Sequence, residues 1–254
     1  MAAAPPEMRP APAGPLRATA LLLGWNLVSM RAVLPLVLLV QTGLAAGVVV
    51  GFAFLYPAVD PDSARYLATG AVTIALTTVG LVLVPQMLAT AKTDGSYDWS
   101  RTLPAPRLAA LAADLLTWLL VALPGVVLAL VVATWRFDLT PQVSALFPAA
   151  VLLVTLAFTA AGYALAVWLR PRVAMSISQL LLFGTLMFSP ITYPPERLPD
   201  WLRAAHEWLP FTSAAELIRG TLTVEAVSPR AWVLVAVWAA AGVAAVGVLA
   251  SRRG

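Results

Sequence analysis

Few side chains in this chain could carry chemistry, and Asp114 is the most informative because it interrupts a long apolar stretch. A charge at the centre of a membrane-spanning helix costs roughly 2.5–3.5 kcal/mol, so such residues usually have a task. Asp114 lies near one end of its stretch, which leaves three interpretations open: an interfacial anchor with Arg107 as partner, a polar point on a substrate path, or a proton relay. A proton-coupled carrier usually has several such groups, and the other apolar stretches have none.

Other reactive groups are scarce. The chain has no cysteine, which excludes disulfides, thiol catalysis and Cys-ligated metals, and its single histidine, His206, cannot form a His cluster. The only lysine, Lys92, lacks the glycines of a phosphate-binding loop, and neither His-Glu-x-x-His nor Gly-x-Ser-x-Gly occurs. We predict no catalytic residue, no metal and no cofactor in this chain, and a surface position for His206.

Composition indicates a membrane protein. Apolar residues make up 61% of the chain and charged residues 11%, whereas soluble domains have about 25% charged residues. A net charge of +4 gives no reason to expect nucleic acid binding. A helix needs about 20 apolar residues to cross the hydrocarbon core. We predict an all-α integral membrane protein with six spans, which are Leu34–Tyr56, Tyr66–Thr90, Leu108–Thr134, Val143–Leu169, Val173–Tyr193 and Ala231–Ala250.

Basic residues favour one orientation of these spans. An even number of spans places both termini on one side, and Arg170, Arg172, Arg252 and Arg253 lie at span ends on that side. Because Lys and Arg concentrate on the cytoplasmic side, we predict a multi-pass protein of the cell membrane with both termini in the cytoplasm.

The segment before the first span has two parts. Residues 1–15 are rich in Ala and Pro and are predicted to be a disordered cytoplasmic tail, while residues 16–254 form the transmembrane domain. Arg17, Gly24 and Arg31 are spaced by seven and share one helix face, which indicates an interfacial helix at the inner membrane surface. The alternative is an N-terminal extension of span one.

Span one contains Gly43, Gly47 and Gly51, which are four residues apart and therefore line one helix face. Glycines at this spacing let a second helix approach closely. The partner could be another helix of the same bundle or the same span in a second copy of the chain, and the residues alone leave both open.

The longest loop on the predicted cytoplasmic side runs from Ala91 to Arg107 and combines charges, aromatic residues and a rigid Pro-rich end. From composition alone it is either an ordinary solvated loop or a docking segment for another protein.

The segment between the last two spans is the most specific part of the sequence. Pro190 after Ser189 should stop or kink span five, because proline removes a backbone donor and clashes with the preceding turn. Apolar residues at a spacing of three to four then predict a short helix over 199–209, with Trp201 and Trp208 on its apolar face.

A second short helix is predicted to follow. Pro210 should break the first one, the capping-box spacing of Ser213 and Glu216 predicts a helix start, and Gly220 is suited to end it. The two helices would form a re-entrant hairpin in the outer leaflet, and a plain surface loop is the alternative.

The order of residues in this segment resembles the C-terminal signature of ABC-2 type transporter membrane subunits. The matching positions are Ser189-Pro190-Ile191, Tyr193-Pro194, Leu198-Pro199, Trp201-Leu202, Pro210, Thr212 and Arg219. Six spans, a cytoplasmic tail and an amphipathic N-terminal helix agree with the same family, so the resemblance covers nearly the whole chain.

The resemblance implies the permease subunit of an ATP-binding cassette exporter. Such subunits work as dimers, with a second copy or a related membrane subunit, and a separate ABC ATPase subunit binds ATP and magnesium. The family exports drugs, lipids or polysaccharides, which implies efflux and drug resistance. A path lined by spans one, two and five would suit an amphipathic or lipophilic substrate.

The resemblance also implies roles for particular residues. The loop between spans two and three would hold a coupling helix that docks on the ATPase, here with Asp94, Gly95, Asp98, Trp99 and Arg101. The re-entrant hairpin would act as an outer gate, here with Ser189, Pro190, Trp201, Trp208 and Pro210.

Two other functions stay open from the residues. An ATP-independent secondary transporter or channel would show several buried charges or paired broken helices, and the sequence offers only Asp114 and the break at Ser189 and Pro190. A non-transporting membrane scaffold would use the loop over 95–107 as a docking site without cargo. ATP dependence separates an exporter from the first alternative, and substrate flux separates it from the second.

Overall fold

A computed structural model describes most of the chain, and its regular structure there is entirely helical. The predicted tail lies almost wholly outside the described residues, although Pro15 at its end already begins a helix. The described residues are 14–55, 61–100, 102, 106–138, 140, 142–193, 195–223 and 226–252.

Six helical segments are long and apolar enough to cross a membrane, which confirms the predicted fold class and number of spans. Five spans are the single helices α2, α6, α7, α8 and α11, and the second span combines α3 with α4. The helices are α1 (Pro15–Met30), α2 (Leu34–Leu55), α3 (Pro61–Thr78), α4 (Val84–Thr93), α5 (Ser96–Ser100), α6 (Arg107–Phe137), α7 (Phe147–Trp168), α8 (Pro171–Phe188), α9 (Asp200–His206), α10 (Pro210–Thr223) and α11 (Pro229–Arg252).

The second span is the most enclosed part of the bundle. A π-helical segment, Val79–Leu83, joins α3 to α4 without a break, and α2, α6, α7, α8 and α10 surround the span. Buried hydroxyls such as those of Thr73 and Thr77 donate to carbonyls one turn earlier, so burial leaves them paired. Within this subunit, the second span has almost no bare surface to offer a substrate path.

Small residues bring α7 into close contact with two neighbours. A Cβ added to Gly162 would overlap the carbonyl oxygen of Gly80 in the π segment, and a Cβ added to Gly80 would overlap the backbone of Phe158. On another side, a Cβ added to Gly242 of α11 would lie 2.7 Å from the Cβ of Ala160. Close backbone approach increases van der Waals contact, which drives helix association in lipid. α7 therefore holds α11 and the second span together.

The N-terminal helix is separate from span one. α1 ends at Met30, a turn covers residues 31–33, and α2 begins at Leu34. α1 packs along α6 and exposes Arg17 and Gly24, and Arg31 in the turn that follows is exposed as well. A straight extension of span one is thus excluded, and the location of α1 at the membrane surface stays a prediction.

Span four begins later than predicted, at Phe147 rather than Val143. Residues 142–144 before it are not helical and residues 145–146 form a turn. The backbone N–H groups of Gln142 and Ser144 donate to the carbonyls of Leu222 and Thr221 at distances of 3.0 and 2.8 Å. These carbonyls belong to the last turn of α10, which has no further helical turn to bond them. The segment over 142–146, where span four was predicted to begin, therefore caps the end of α10.

The prediction for the start and end of the second outer helix was wrong. α10 begins at Pro210, since proline is well suited to the first turn of a helix, and Ser213 lies inside it rather than at its cap. Glu216 instead accepts a hydrogen bond from the backbone N–H of Ser228 at 3.0 Å. The helix continues through the buried Gly220. Two short helices thus join spans five and six, while their re-entrant depth in a membrane stays a prediction.

Candidate functional site

The predicted coupling residues gather at the end of the bundle that carries α5. Asp94 ends α4 and accepts a hydrogen bond from the backbone N–H of Ser96 at 2.9 Å. Hydrogen bonding by Ser96, first from its side chain and then from its backbone, lowers the pKa of Asp94. Gly95 has φ +81°, a left-handed conformation that favours glycine. The turn therefore fixes α5 directly after the second span.

The surface of α5 is accessible to another protein. Asp98 is exposed, and Trp99 keeps 50% of its surface exposed although tryptophan is usually mostly buried. Asp94, Gly95, Asp98 and Trp99 thus lie together, whereas Arg101 lies outside the described residues.

An aromatic contact joins α5 to the N-terminal helix. The rings of Trp25 in α1 and Trp99 in α5 have centroids 5.5 Å apart, with an angle of 38° between their planes. Aromatic pairs at this separation contribute about 0.5–1.5 kcal/mol beyond their burial. The sequence analysis missed this contact, because 74 residues separate the two tryptophans and no local pattern relates them.

Lys92 joins α5 to α7 on the opposite flank. Its Nζ donates to the carbonyl oxygens of Ala166 and Val167, at 2.5 and 3.1 Å, and lies 5.7 Å from the ring centroid of Tyr97. The two carbonyls are in the last turn of α7, where a positive charge is favoured. The only lysine of the chain therefore links the second span, α5 and the end of α7.

Asp114 is the centre of a polar cluster that joins three helices. Its Oδ1 accepts from Asn26 of α1 at 2.8 Å, and its Oδ2 accepts from the Tyr163 hydroxyl of α7 at 2.8 Å. The same Asn26 amide lies 3.2 Å from the hydroxyl oxygen of Thr117. The partner suggested from the sequence, Arg107, has no described side chain. The cluster supports a role for Asp114 in fixing α1 and α7 against α6.

Asp114→Leu is expected to lower the stability of the purified protein by about 1–3 kcal/mol, because Asn26 and Tyr163 would lose their shared acceptor. Asp114→Asn keeps the shape and should lose less than Asp114→Leu. Thermal unfolding in detergent, followed by size-exclusion chromatography, measures both. Equal melting temperatures of the wild-type and Asp114→Leu proteins would disprove the stabilising role of the cluster.

The outer segment is held by a buried pair, Ser189 and His206. The Ser189 Oγ lies 2.9 Å from the His206 Nε2, and the His206 Nδ1 lies 2.9 Å from the carbonyl oxygen of Leu202. A carbonyl only accepts, so Nδ1 donates, and in the neutral ring Nε2 accepts from the serine hydroxyl. His206 is 5% exposed, so the predicted surface position was wrong. The pair fixes α9 against the end of α8.

The predicted gate residues divide into buried and exposed ones. Ser189, Pro190 and Pro210 are buried, whereas Trp201 and Trp208 are exposed. The helix break at Ser189 and Pro190 is confirmed, since α8 ends at Phe188. The predicted apolar face of α9 therefore points away from its own subunit.

Arg219 fixes the second outer helix to the second span. Its guanidinium carbon lies 3.7 Å from the ring centroid of Tyr66, and its Nη2 donates to the carbonyl oxygen of Ile191 at 3.0 Å. The same Ile191 carbonyl oxygen is 2.7 Å from where a Cβ of Gly70 would lie. The outer segment thus rests directly on α3.

The glycines of span one face open space. A Cβ added to Gly43, Gly47 or Gly51 would meet no atom of the described part of the chain within 4 Å. Of the two interpretations left open by the sequence, packing within this subunit finds no support in the described residues.

The comparison with protein families covers the parts just described. The sequence profile of ABC-2 type transporters matches residues 24–223, well over half of the chain, from within α1 to the end of α10. A search of curated proteins finds no match. The match includes the second span, α5 and the outer segment, and the fold supplies six helices of membrane-spanning length. The chain therefore belongs to the ABC-2 type transporter family, as a membrane permease subunit.

Proposed function

We propose that this chain forms the substrate path of an ATP-driven exporter and couples to a separate ABC ATPase subunit through α5. The observation that carries the proposal is the position of α5, which is exposed on one side and attached on two others. Trp99 contacts α1, and Lys92 connects Tyr97 to the end of α7. A five-residue helix with these attachments is suited to receive force from a docked protein and pass it on.

Motion would enter the bundle by these two attachments. When ATP binding closes the partner ATPases, displacement of α5 moves α1 through the tryptophan pair and α7 through Lys92. The cluster around Asp114 ties α1 and α7 to the same helix, α6, so the three helices would shift as one unit. ATP and magnesium would be bound by the partner.

Pairing of two membrane subunits would complete the path. Span one offers the open glycine face at Gly43, Gly47 and Gly51, and α8 offers exposed apolar residues such as Leu180 and Phe183. A second copy, or a related subunit, would cover these faces. The path would run between α2 and α8 of the two subunits, and its apolar walls suit an amphipathic or lipophilic cargo, as in efflux and drug resistance.

The outer segment would act as the gate of this path, with α9 and α10 entering the outer leaflet. The exposed Trp201 would lie nearer the outer headgroups, where tryptophan is favoured, and the exposed Trp208, whose carbonyl accepts from Trp238, would lie deeper in the outer leaflet. The basic end at Arg170 and Arg172 would then face the cytoplasm, as would both termini of this cell-membrane protein.

The test is affinity purification of the tagged chain from its native membrane, with mass spectrometry of stoichiometric partners. We expect one ABC ATPase subunit per copy of this chain. A preparation without ATPase, in a detergent that preserves known transporter complexes, would favour the ATP-independent transporter, the channel or the scaffold. Substrate flux in vesicles then separates these alternatives.

A further inference from the structure

An apolar cleft lies between α7, α8 and α11. Its volume is about 500 Å³. Leu181 lines it from α8, and Leu209, Pro210 and Phe211 close it at the end that carries α9 and α10. Its walls on the other two helices combine large apolar residues, such as Phe158 and Leu165, with small ones, which are Ala157, Ala161 and Ala164 of α7 and Ala241, Gly242 and Ala245 of α11.

A tryptophan stands at each end of the cleft. Trp168 Nε1 donates to the carbonyl oxygen of Ala245 at 3.4 Å, and Trp238 Nε1 donates to the carbonyl oxygen of Trp208 at 2.9 Å. Their indole hydrogens are used by these bonds, so the cleft presents hydrocarbon to an occupant. Trp168 is 52% exposed and Trp238 is 36% exposed, so the cleft is open to the surroundings of the bundle.

The length of the cleft matches one leaflet of a bilayer. Ala157 and Trp168 are both on α7, and a rise of 1.5 Å per residue places them about 16 Å apart along the helix. The hydrocarbon core is about 30 Å thick, so one leaflet measures about 15 Å. A single extended acyl chain therefore fits the cleft in length and in chemistry.

Positive charge lies at the open end beside Trp168. Leu169 lines the cleft, and Arg170 and Arg172 follow it at the start of α8. Both arginines are exposed, and neither side chain has a hydrogen bond or ion pair with any described residue. Arginine forms paired hydrogen bonds with phosphate, and basic sites beside membrane helices attract anionic headgroups.

We propose that the cleft binds an anionic phospholipid, with one acyl chain in the groove enclosed by α7, α8 and α11 and the headgroup phosphate at Arg170 and Arg172. The lipid would fill the groove that the small residues leave along the outside of the α7–α11 contact, facing α8. The orientation in the proposed function places Arg170 and Arg172, and therefore this lipid, in the cytoplasmic leaflet. Only that assignment of the leaflet rests on the proposed function.

The experiment uses two photoreactive lipids with the same diazirine-bearing acyl chain, a phosphatidylglycerol and a phosphatidylcholine. Each is placed in nanodiscs with the purified full-length chain and any partner that co-purifies. Labelled peptides are then located by mass spectrometry. We expect phosphatidylglycerol to label residues 157–168 and 238–245 roughly tenfold more than phosphatidylcholine does, because two arginines contact its headgroup.

Adjacent residues of α11 provide matched variants. Ala241 lines the cleft and Ala240, which is also exposed, does not. Ala241→Leu should reduce labelling of the cleft to the level found on outward helix faces, and Ala240→Leu should leave it unchanged. Arg170→Gln combined with Arg172→Gln should remove the preference for phosphatidylglycerol and retain the weaker labelling by phosphatidylcholine.

Three results would overturn the proposal. The first is equal labelling of the cleft and of the exposed face of α6 at Val127 and Val131. The second is a headgroup preference that survives loss of both arginines. The third is a disulfide between copies in an Ala241→Cys variant, which is readable because the chain has no other cysteine and would assign the cleft to a second subunit. Recovery of the ATPase from the same preparations tests the proposed function, because it depends on α5. If the ATPase is retained while the lipid labelling fails, only the lipid site is disproved.

Discussion

Gly162→Ala is expected to leave little monodisperse protein after extraction into detergent. The added methyl group would overlap the Gly80 carbonyl oxygen, and a backbone atom cannot turn aside as the end of a side chain can. Overpacking of a well-packed interior typically costs 1–3 kcal/mol and sometimes more, against a total stability of about 5–15 kcal/mol. Fluorescence-detected size-exclusion chromatography before and after heating measures the loss.

Gly184→Ala is the matched control for this prediction. Gly184 also lies within a membrane-length helix, but a Cβ there meets no atom within 4 Å. Alanine is the better helix former, so this variant should be as stable as the parent or slightly more so. If Gly162→Ala and Gly184→Ala elute and melt alike, the close contact between α7 and the π segment does not exist in the protein.

Replacing residues 94–101 by a Gly/Ser linker of equal length is expected to reduce ATPase recovery roughly tenfold or more. The replacement removes Asp98 and Trp99 from the exposed side of α5, and buried tryptophans at interfaces commonly contribute about 2 kcal/mol or more. It also removes the contact with Trp25, so ATP-dependent flux should be lost. Quantitative mass spectrometry of the purified complex and flux into inverted vesicles are the two measurements.

A double variant, Trp201→Ala with Trp208→Ala, is the control for the linker experiment. It also removes exposed aromatic residues, but at the opposite end of the bundle. It should retain the ATPase at full stoichiometry whatever happens to flux. Normal ATPase recovery with the linker protein would disprove the assignment of α5 as the docking element.

The membrane architecture could be predicted from the sequence because each span depends mainly on its own residues. A stretch such as that of α8 is long and apolar by itself, and its end at Phe188 follows from the proline two residues later. The start of α7 could not be predicted in this way. Apolar residues before Phe147 are compatible with a helix, and their non-helical backbone depends on hydrogen bonds to the end of α10, a distant element.

The position of the candidate site in the loop between spans two and three could be predicted from the sequence. The contacts that attach α5 to α1 and α7 could not. The left-handed turn at Gly95 is a local property of glycine, so it could have been predicted from the sequence, although we did not predict it. The contacts of Trp99 with Trp25 and of Lys92 with the end of α7 join residues at least 74 positions apart. Such pairs are determined by helix packing, and a single sequence carries no periodicity that relates them.

His206 shows the same limit for the outer segment. Its position four residues after Leu202 predicts the local bond of its Nδ1, but not the bond to Ser189 across the turn. Histidine is polar enough for a surface and apolar enough for a core when both nitrogens are bonded. The change of chain direction after Pro190 brings His206 next to Ser189 and so determines that His206 is buried.

The π-helical segment at Val79–Leu83 also sets the rotational phase between the two halves of the second span. A helix turns about 100° per residue, so loss of one residue from this segment would rotate α4 by that angle relative to α3. Lys92 would then point away from the end of α7, and α5 would be carried around with it. One turn of irregular backbone deep in the bundle thus determines the direction in which α5 faces.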